Sequence, residues 1–472
     1  MTANADNRRS GMESRDPPRA IETIRRAFEE FLTIPTAIIA GFLLLAIVSY
    51  MLDRSKLVGL QSLREFLRSH VFANPQATSD LLGAIASGII TMTSVTISLL
   101  LIAVQQSAGS MTSAVFDQFL RRRHNQIYFG FFIGLALYSL ITLATVNEPF
   151  NPVFGGTLSF LGTVVALFLL LLLLYTSINQ MRPVEIIEAI HDLTLLARER
   201  QLRFLQKTRR APSVSTGIRL PIRADKHGFV TRINLDALEA AIDKTPGGAE
   251  VILSMPIGSY IAFQDVIAEV RAQTREEAER VGQTVQNAIR LERQRDLAID
   301  PAYGIEELET IAWTSISTSK SNPAPGVLTI LSLRDMLARW VTEDTETDQQ
   351  PLSIVYTDNT FARLMDAFET LAIVSSESMQ HQNYIEVLRT FTLMFGRLTA
   401  QQQPRAEDLI LRILPALGDH VLTAELDAAL SALVDTLKAS ERFDTAGAVQ
   451  MAQAALGQSI GKLNSRSTRV EQ

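Results

Sequence analysis

The chain contains no cysteine. Disulfide frameworks, thiolate metal sites and cysteine nucleophiles are excluded with it, while the redox compartment stays open. Histidine is sparse: His70, His124, His191, His227, His381 and His420 are scattered, with no HExxH motif and no pair at ligand spacing on one helix. Metal catalysis therefore has little to stand on. No GxGxxG motif is present, and the GxSxG string at residues 457–461 follows no predicted strand and so makes no nucleophile elbow, which removes the commonest hydrolase and dinucleotide signatures. Residues 457–463 only loosely resemble a phosphate-binding loop: one residue too few separates the glycines, and Leu463 stands where Ser or Thr would hold magnesium. A net charge of -6 gives no nucleic-acid signal. Neither a catalytic residue nor a cofactor is expected.

Charge itself is missing from four long stretches. Residues 34–52, 81–105, 127–146 and 153–178 hold no Asp, Glu, Lys, Arg or His. A helix rises about 1.5 Å per residue, so about 20 apolar residues cross roughly 30 Å of hydrocarbon. Each stretch is thus a membrane-span candidate. A charge at the middle of such a helix costs roughly 2.5–3.5 kcal/mol, so its absence fits lipid exposure and argues against a buried proton relay. These runs raise the apolar fraction of the 472 residues to 47%, whereas the chain after Arg182 reads as an ordinary water-soluble protein.

Positive charge orients the spans. Arg8, Arg9, Arg15, Arg19, Arg25 and Arg26 precede the first, Arg121, Arg122 and Arg123 separate the second from the third, and Arg182, Arg198, Arg200 and Arg203 follow the fourth. Retention of Lys and Arg in short cytoplasmic loops then places both termini in the cytoplasm, against a weaker opposing group of Arg54, Lys56, Arg64 and Arg68. The first apolar run is too long for a secretory signal and lacks a small-residue cleavage site. Residues 17–33 read as an Arg-rich amphipathic helix at the inner surface, and the Arg121–Arg122–Arg123 cluster as a topology determinant that meets lipid phosphates.

Within the spans, Gly130 and Gly134 form a GxxxG pair suited to close helix packing, and Gly83, Ala84, Ser87 and Gly88 place small residues on the second span. Ser87, Thr91, Ser94, Ser98 and Gln105 follow steps of three, four and seven residues and so share one helix face. That stripe either hydrogen-bonds to neighbouring helices or lines a wet pathway. Four spans are too few for two inverted repeats in one chain, so a conduit requires several subunits.

The domain plan follows: a basic tail with its amphipathic helix (1–33), a four-helix transmembrane domain (34–181), a helical stalk continuing the fourth span (182–212), a small β-rich module (213–271), a helical cytoplasmic domain (272–463) and a disordered tail (464–472). The fold class is mainly α, with a cytoplasmic α+β domain after the membrane region. Val- and Ile-rich runs bounded by Gly and Pro predict strands at 217–223, 228–233, 250–255 and 266–270, with a short helix at 235–243 between them. A charged helix is predicted over 274–297, followed by helices at 305–317, 327–340, 360–376, 384–398, 407–414 and 422–437. Asp225 and Lys226 sit where lipoyl domains present a modified lysine; the simpler reading is a polar turn ending in Gly228. Glu306, Glu307 and Glu309 occupy adjacent helical positions and read as a solvated face.

Several stretches together resemble one family. Residues 94–106, 119–121 and 130–143, with Tyr138-Ser139-Leu140, look like the membrane core of the bacterial domain-of-unknown-function 2254 family. Gly228-Phe229-Val230 with Ile233, Gly258-Ser259-Tyr260, Asp300-Pro301, Tyr303-Gly304, Leu308 and Ile311-Ala312 look like its soluble half. Order and spacing agree from about residue 34 to 340. Two positions depart: Val115 stands where the family carries an arginine, and its Asn-Asp-Pro signature reads Ser321-Asn322-Pro323 followed by Ala324-Pro325. The resemblance implies an inner-membrane protein and supplies no activity. Two functional readings stand: an oligomeric, channel-like or transport-related protein regulated by its cytoplasmic domain, or a non-conducting anchored sensor or scaffold. Both sit in the lipid bilayer and involve no nucleic acid; the first is expected to be a homo-oligomer, and the second binds a cytoplasmic partner or ligand through its soluble helices.

Overall fold

A computed structural model describes residues 32–55, 61–70, 72, 74–110, 123–180, 182–213, 217–317, 322–343, 351–419 and 421–459. They form two compact units, one running to residue 181 and the other from Arg182. The tail with its amphipathic helix, Arg121, Arg122 and residues 464–472 lie outside the described residues.

The first unit holds α1 (Thr33–Arg54), α2 (Gln61–His70), α3 (Pro75–Ser110), α4 (Arg123–Ala144) and α5 (Val153–Gln180). All but α2 are long and apolar enough to cross a membrane. Helix α4 is the hub: half of its apolar window is buried, against 17% for α1 and α5. Its glycines explain how α1 comes so close. A Cβ on Gly130 would stand 2.8 Å from the Pro35 Cα, and one on Gly134 would overlap the Phe42 ring. Phe132, Leu135 and Tyr138 of α4 meet Ala46 of α1, Ile85 and Ile89 of α3, and Ala166 and Leu173 of α5 in one core. Large apolar side chains on α1 and α5, such as Leu44, Met51, Phe168 and Leu171, point outward.

The second unit begins with α6 (Pro183–Lys207), then β1 (Ile218–Arg223), β2 (Gly228–Ile233), α7 (Leu235–Asp243), β3 (Ala249–Leu253), β4 (Tyr260–Ile261), β5 (Val266–Ala272), α8 (Arg275–Ala288) and β6 (Ile289–Glu292). It continues with α9 (Pro301–Ser317), α10 (Ala324–Thr342), β7 (Ile354–Val355), α11 (Thr360–Glu377), α12 (His381–Met394), α13 (Gln403–Ile413), α14 (Ala424–Ala439) and α15 (Phe443–Ser459). Local chemistry sets many boundaries. Asn234 caps α7 by accepting from the Ala237 N–H, and Thr274 and Glu277 form a reciprocal capping box on α8.

Three differences from the sequence reading have physical causes. The predicted stalk is a core helix: α5 ends at Gln180, Arg182 and Pro183 start a new helix, and α6 buries Ile186, Ile187, Ile190, Thr194, Ala197 and Arg198 against its own unit. The helix predicted over 274–297 stops at Ala288 and gives way to β6, which pairs with β2. The β-module is not closed within 213–271. One sheet has the order β1-β5-β3-β7, its parallel edge β7 arriving from residue 354, and the other is β4-β2-β6. Two-residue strands such as β4 and β7 carry no periodicity to read; their partners define them.

Candidate functional site

Ser87, Thr91, Ser94 and Ser98 are all exposed on the chain, on the side of α3 opposite the buried Leu82, Ile85, Ile89 and Thr96. At 3.6 residues per turn, the stripe and the buried positions are half a turn apart. Thr91 and Ser98 donate to the Ser87 and Ser94 carbonyls of their own helix at 2.8 and 3.0 Å, and Ser87 donates to the Ala84 carbonyl at 3.2 Å. A Cβ on Gly83 or Gly88 would meet nothing within 4 Å. Gln105 lies further along α3 and Arg123 opens α4.

Sequence reasoning missed a polar group at the far end of α1. Asp53 is buried, and its carboxylate accepts from the Phe154 N–H (2.9 Å) and the Gly155 N–H (3.0 Å) at the start of α5. It thus caps a helix one hundred residues away in sequence, where the partial positive charge of the helix start favours an anion. Arg64 of α2 donates to the Ser55 and Leu52 carbonyls at 3.0 and 2.5 Å and lies over the Phe154 ring. The signal available was slight: an acid directly after an apolar run.

In the second unit, residues that carry the family resemblance converge. Asp300 caps α9 by accepting from the Tyr303 N–H (3.1 Å), and its other oxygen accepts from Arg295 Nε (2.7 Å). Gly258, at φ +90°, leaves room for that carboxylate, which a Cβ there would overlap. Gly304 likewise lies against Thr194 of α6. Arg295 also pairs with Glu306, and Arg363 bridges Glu306 (3.0 Å) and Glu309 (3.7 Å). The glutamates read as a solvated face therefore belong to an ion network, and Glu307 is 7% exposed. Burial pushes the Asp300 carboxyl above its usual range, although the Arg295 contact opposes this.

A second buried cation, Arg198 of α6, meets Glu343, Asp358, Gln201 and Thr360 at 2.6–3.3 Å and lies over the Trp340 ring. Burial works against its charge, and Asp358 and Glu343 outweigh that cost, holding it protonated. Both clusters are ties between α6, α9, α10, α11 and the segment before it, although the buried Arg363 Nε finds no hydrogen-bond acceptor among the described residues. The bend at Asp225 and Lys226 is exposed. Among the described residues, no group of three His, Asp or Glu side chains is arranged to hold a metal ion.

The pattern of the family described as Predicted membrane protein (DUF2254) matches residues 29–389. The chain belongs to this family. No curated protein matches it, and no solved structure does. As a DUF2254 protein it is a membrane protein of unknown function with four candidate spans. The match takes in the α3 stripe, the Asp53 cap and both ion networks, and ends within α12.

Proposed function

We propose that this DUF2254 protein is a non-enzymatic, homo-oligomeric conduit of a bacterial inner membrane, in which α3 helices from several copies meet along the Ser87, Thr91, Ser94, Ser98 and Gln105 stripe and the soluble unit regulates them. One observation carries the reading: α3 turns the hydroxyls of Ser87, Thr91, Ser94 and Ser98 away from its own chain, over roughly 16 Å of helix axis. On α1 and α5 large apolar residues face outward, as lipid requires; α3 exposes Ile90, Val95, Ile97 and Leu101 as well, but between them runs a stripe that is small and hydroxylated, which suits another helix or water. Charge placement favours cytoplasmic termini, with Arg121, Arg122 and Arg123 at the same surface. The alternative, a non-conducting anchored sensor or scaffold, draws on the same hydroxyls: Ser87, Thr91 and Ser98 already donate to their own helix, so none of them demands water.

A chain without cysteine makes the test direct. A cysteine at Ser94 should cross-link copies in the native membrane, whereas one at Ile89, on the buried face, should not. Purified full-length protein in liposomes should pass discrete currents that Ser94→Leu and Ser98→Leu remove while the protein stays assembled. Cross-linking without current would leave the anchored scaffold standing. Failure to cross-link at Ser94 would refute the assembly.

A further inference from the structure

A cleft of about 620 Å³ opens between the ends of α1 and α4 beside the α4–α5 connection. Its volume lies in the roughly 300–1,000 Å³ range of small-molecule sites. Its lining divides by chemistry. Ala46, Ile47, Ile141 and Ala144 form an apolar part, and the exposed Ile47 and Ile141 leave it open toward the lipid-facing side. Asp53 and Arg54 place opposite charges next to each other at the other part, with the Tyr50 and Phe150 rings packed edge to face, 5.7 Å apart, beside them.

We propose that this cleft is a binding site for a zwitterionic phospholipid with a primary ammonium headgroup. Arg54, positioned by its 3.2 Å contact to the Tyr50 hydroxyl, takes the phosphate. Asp53 takes the ammonium: its oxygens accept the Phe154 and Gly155 N–H groups, with the Val153 N–H also directed at them, and a carboxylate has about four acceptor sites, so capacity remains. The Tyr50 and Phe150 rings add a surface that attracts a cation, and the acyl chains leave along Ala46 and Ile141 into the bilayer. An anionic lipid would set its net charge against Asp53, and a quaternary ammonium has no N–H to donate to it. The site lies on α1 and α4, so it is independent of the stripe on α3.

The test places full-length protein in nanodiscs of equal parts phosphatidylethanolamine, phosphatidylglycerol and phosphatidylcholine, strips lipid with detergent and identifies what stays by native mass spectrometry. The wild type should retain phosphatidylethanolamine roughly tenfold over either competitor, the discrimination one charge-assisted hydrogen bond supports. Asp53→Asn should lose that preference, and Arg54→Gln should lower retention of all three. Because Asp53 also caps α5, its variant can misfold; Ala144→Phe fills the cleft while leaving the Asp53 carboxylate itself in place and should abolish the enrichment by itself. Equal retention of the three lipids by the wild type, or enrichment unchanged in Ala144→Phe, would overturn the proposal.

Discussion

At Tyr356 a single phenol joins three parts of the second unit. Its ring, 1% exposed, packs edge-on against Phe204 of α6 at 4.8 Å, and its oxygen accepts from the Ile257 N–H at 3.0 Å. Burial pushes its pKa up to about 12. The folded unit therefore holds this proton more tightly than the unfolded chain, whose phenol titrates near 10. The resulting stability is fully present below about pH 10 and lost as pH rises through about 12, amounting to roughly 2–3 kcal/mol. Tyr356→Phe keeps the ring and removes the hydroxyl, so it should cost about 1 kcal/mol at neutral pH and remove this alkaline loss. The chain has two tryptophans, Trp313 and Trp340, both in this unit, so tryptophan emission follows its melting in the intact protein. The gap in melting temperature between wild type and variant should shrink from pH 9 to 11. Parallel melting across that range would contradict the buried phenol.

Helix α2 shows how an element escapes notice when its neighbours are louder. Ten residues between two apolar runs read as a loop, yet Leu63, Phe66 and Leu67 line one side of a helix whose other sides carry Gln61, Glu65 and Arg68. Leu63 and Phe66 are 49% and 56% exposed, and Arg64 ties the helix to the end of α1, where the apolar run stops. A short helix with such a face belongs in the plane of the membrane interface, its apolar side about 5–10 Å into the headgroup boundary. Nitroxide labels on single cysteines introduced at Leu63 and Phe66 should therefore be reached by oxygen dissolved in the bilayer. Labels at Gln61 and Arg68 should be reached by a water-soluble relaxation agent. Equal exposure of all four to the aqueous agent would place α2 in solvent.

On the scale of the whole molecule, the division at residue 181 separates two kinds of stability. The membrane unit rests on close helix packing around α4, and the second unit on a mixed α/β core with buried ion networks. That core includes Ile222, Val251, Val270, Val281 and Ile354, drawn from β1, β3, β5, α8 and β7. Because α6 is part of the second unit's interior, a fragment starting after it would lose Ile187, Ile190 and Arg198. Residues 182–459 expressed alone should be monodisperse and melt cooperatively, whereas residues 213–459 should aggregate or melt without a clear transition. Equal behaviour of the two fragments would show that α6 is dispensable.

How much of this was legible before folding depends on the range of the interaction involved. The sequence by itself determined the four spans, because crossing hydrocarbon is a matter of length and missing charge within a single segment. It determined most helices and strands of the second unit, since periodicity and caps act over a few residues. Tertiary structure alone decided that α6 is a core helix, that β7 completes a sheet begun a hundred residues earlier, and that Glu306 and Glu309 pair with Arg363. It also decided that Asp53 caps α5. In each of these the deciding partner is distant along the chain, and a buried strand edge or carboxylate has no local mark until that partner arrives to satisfy it.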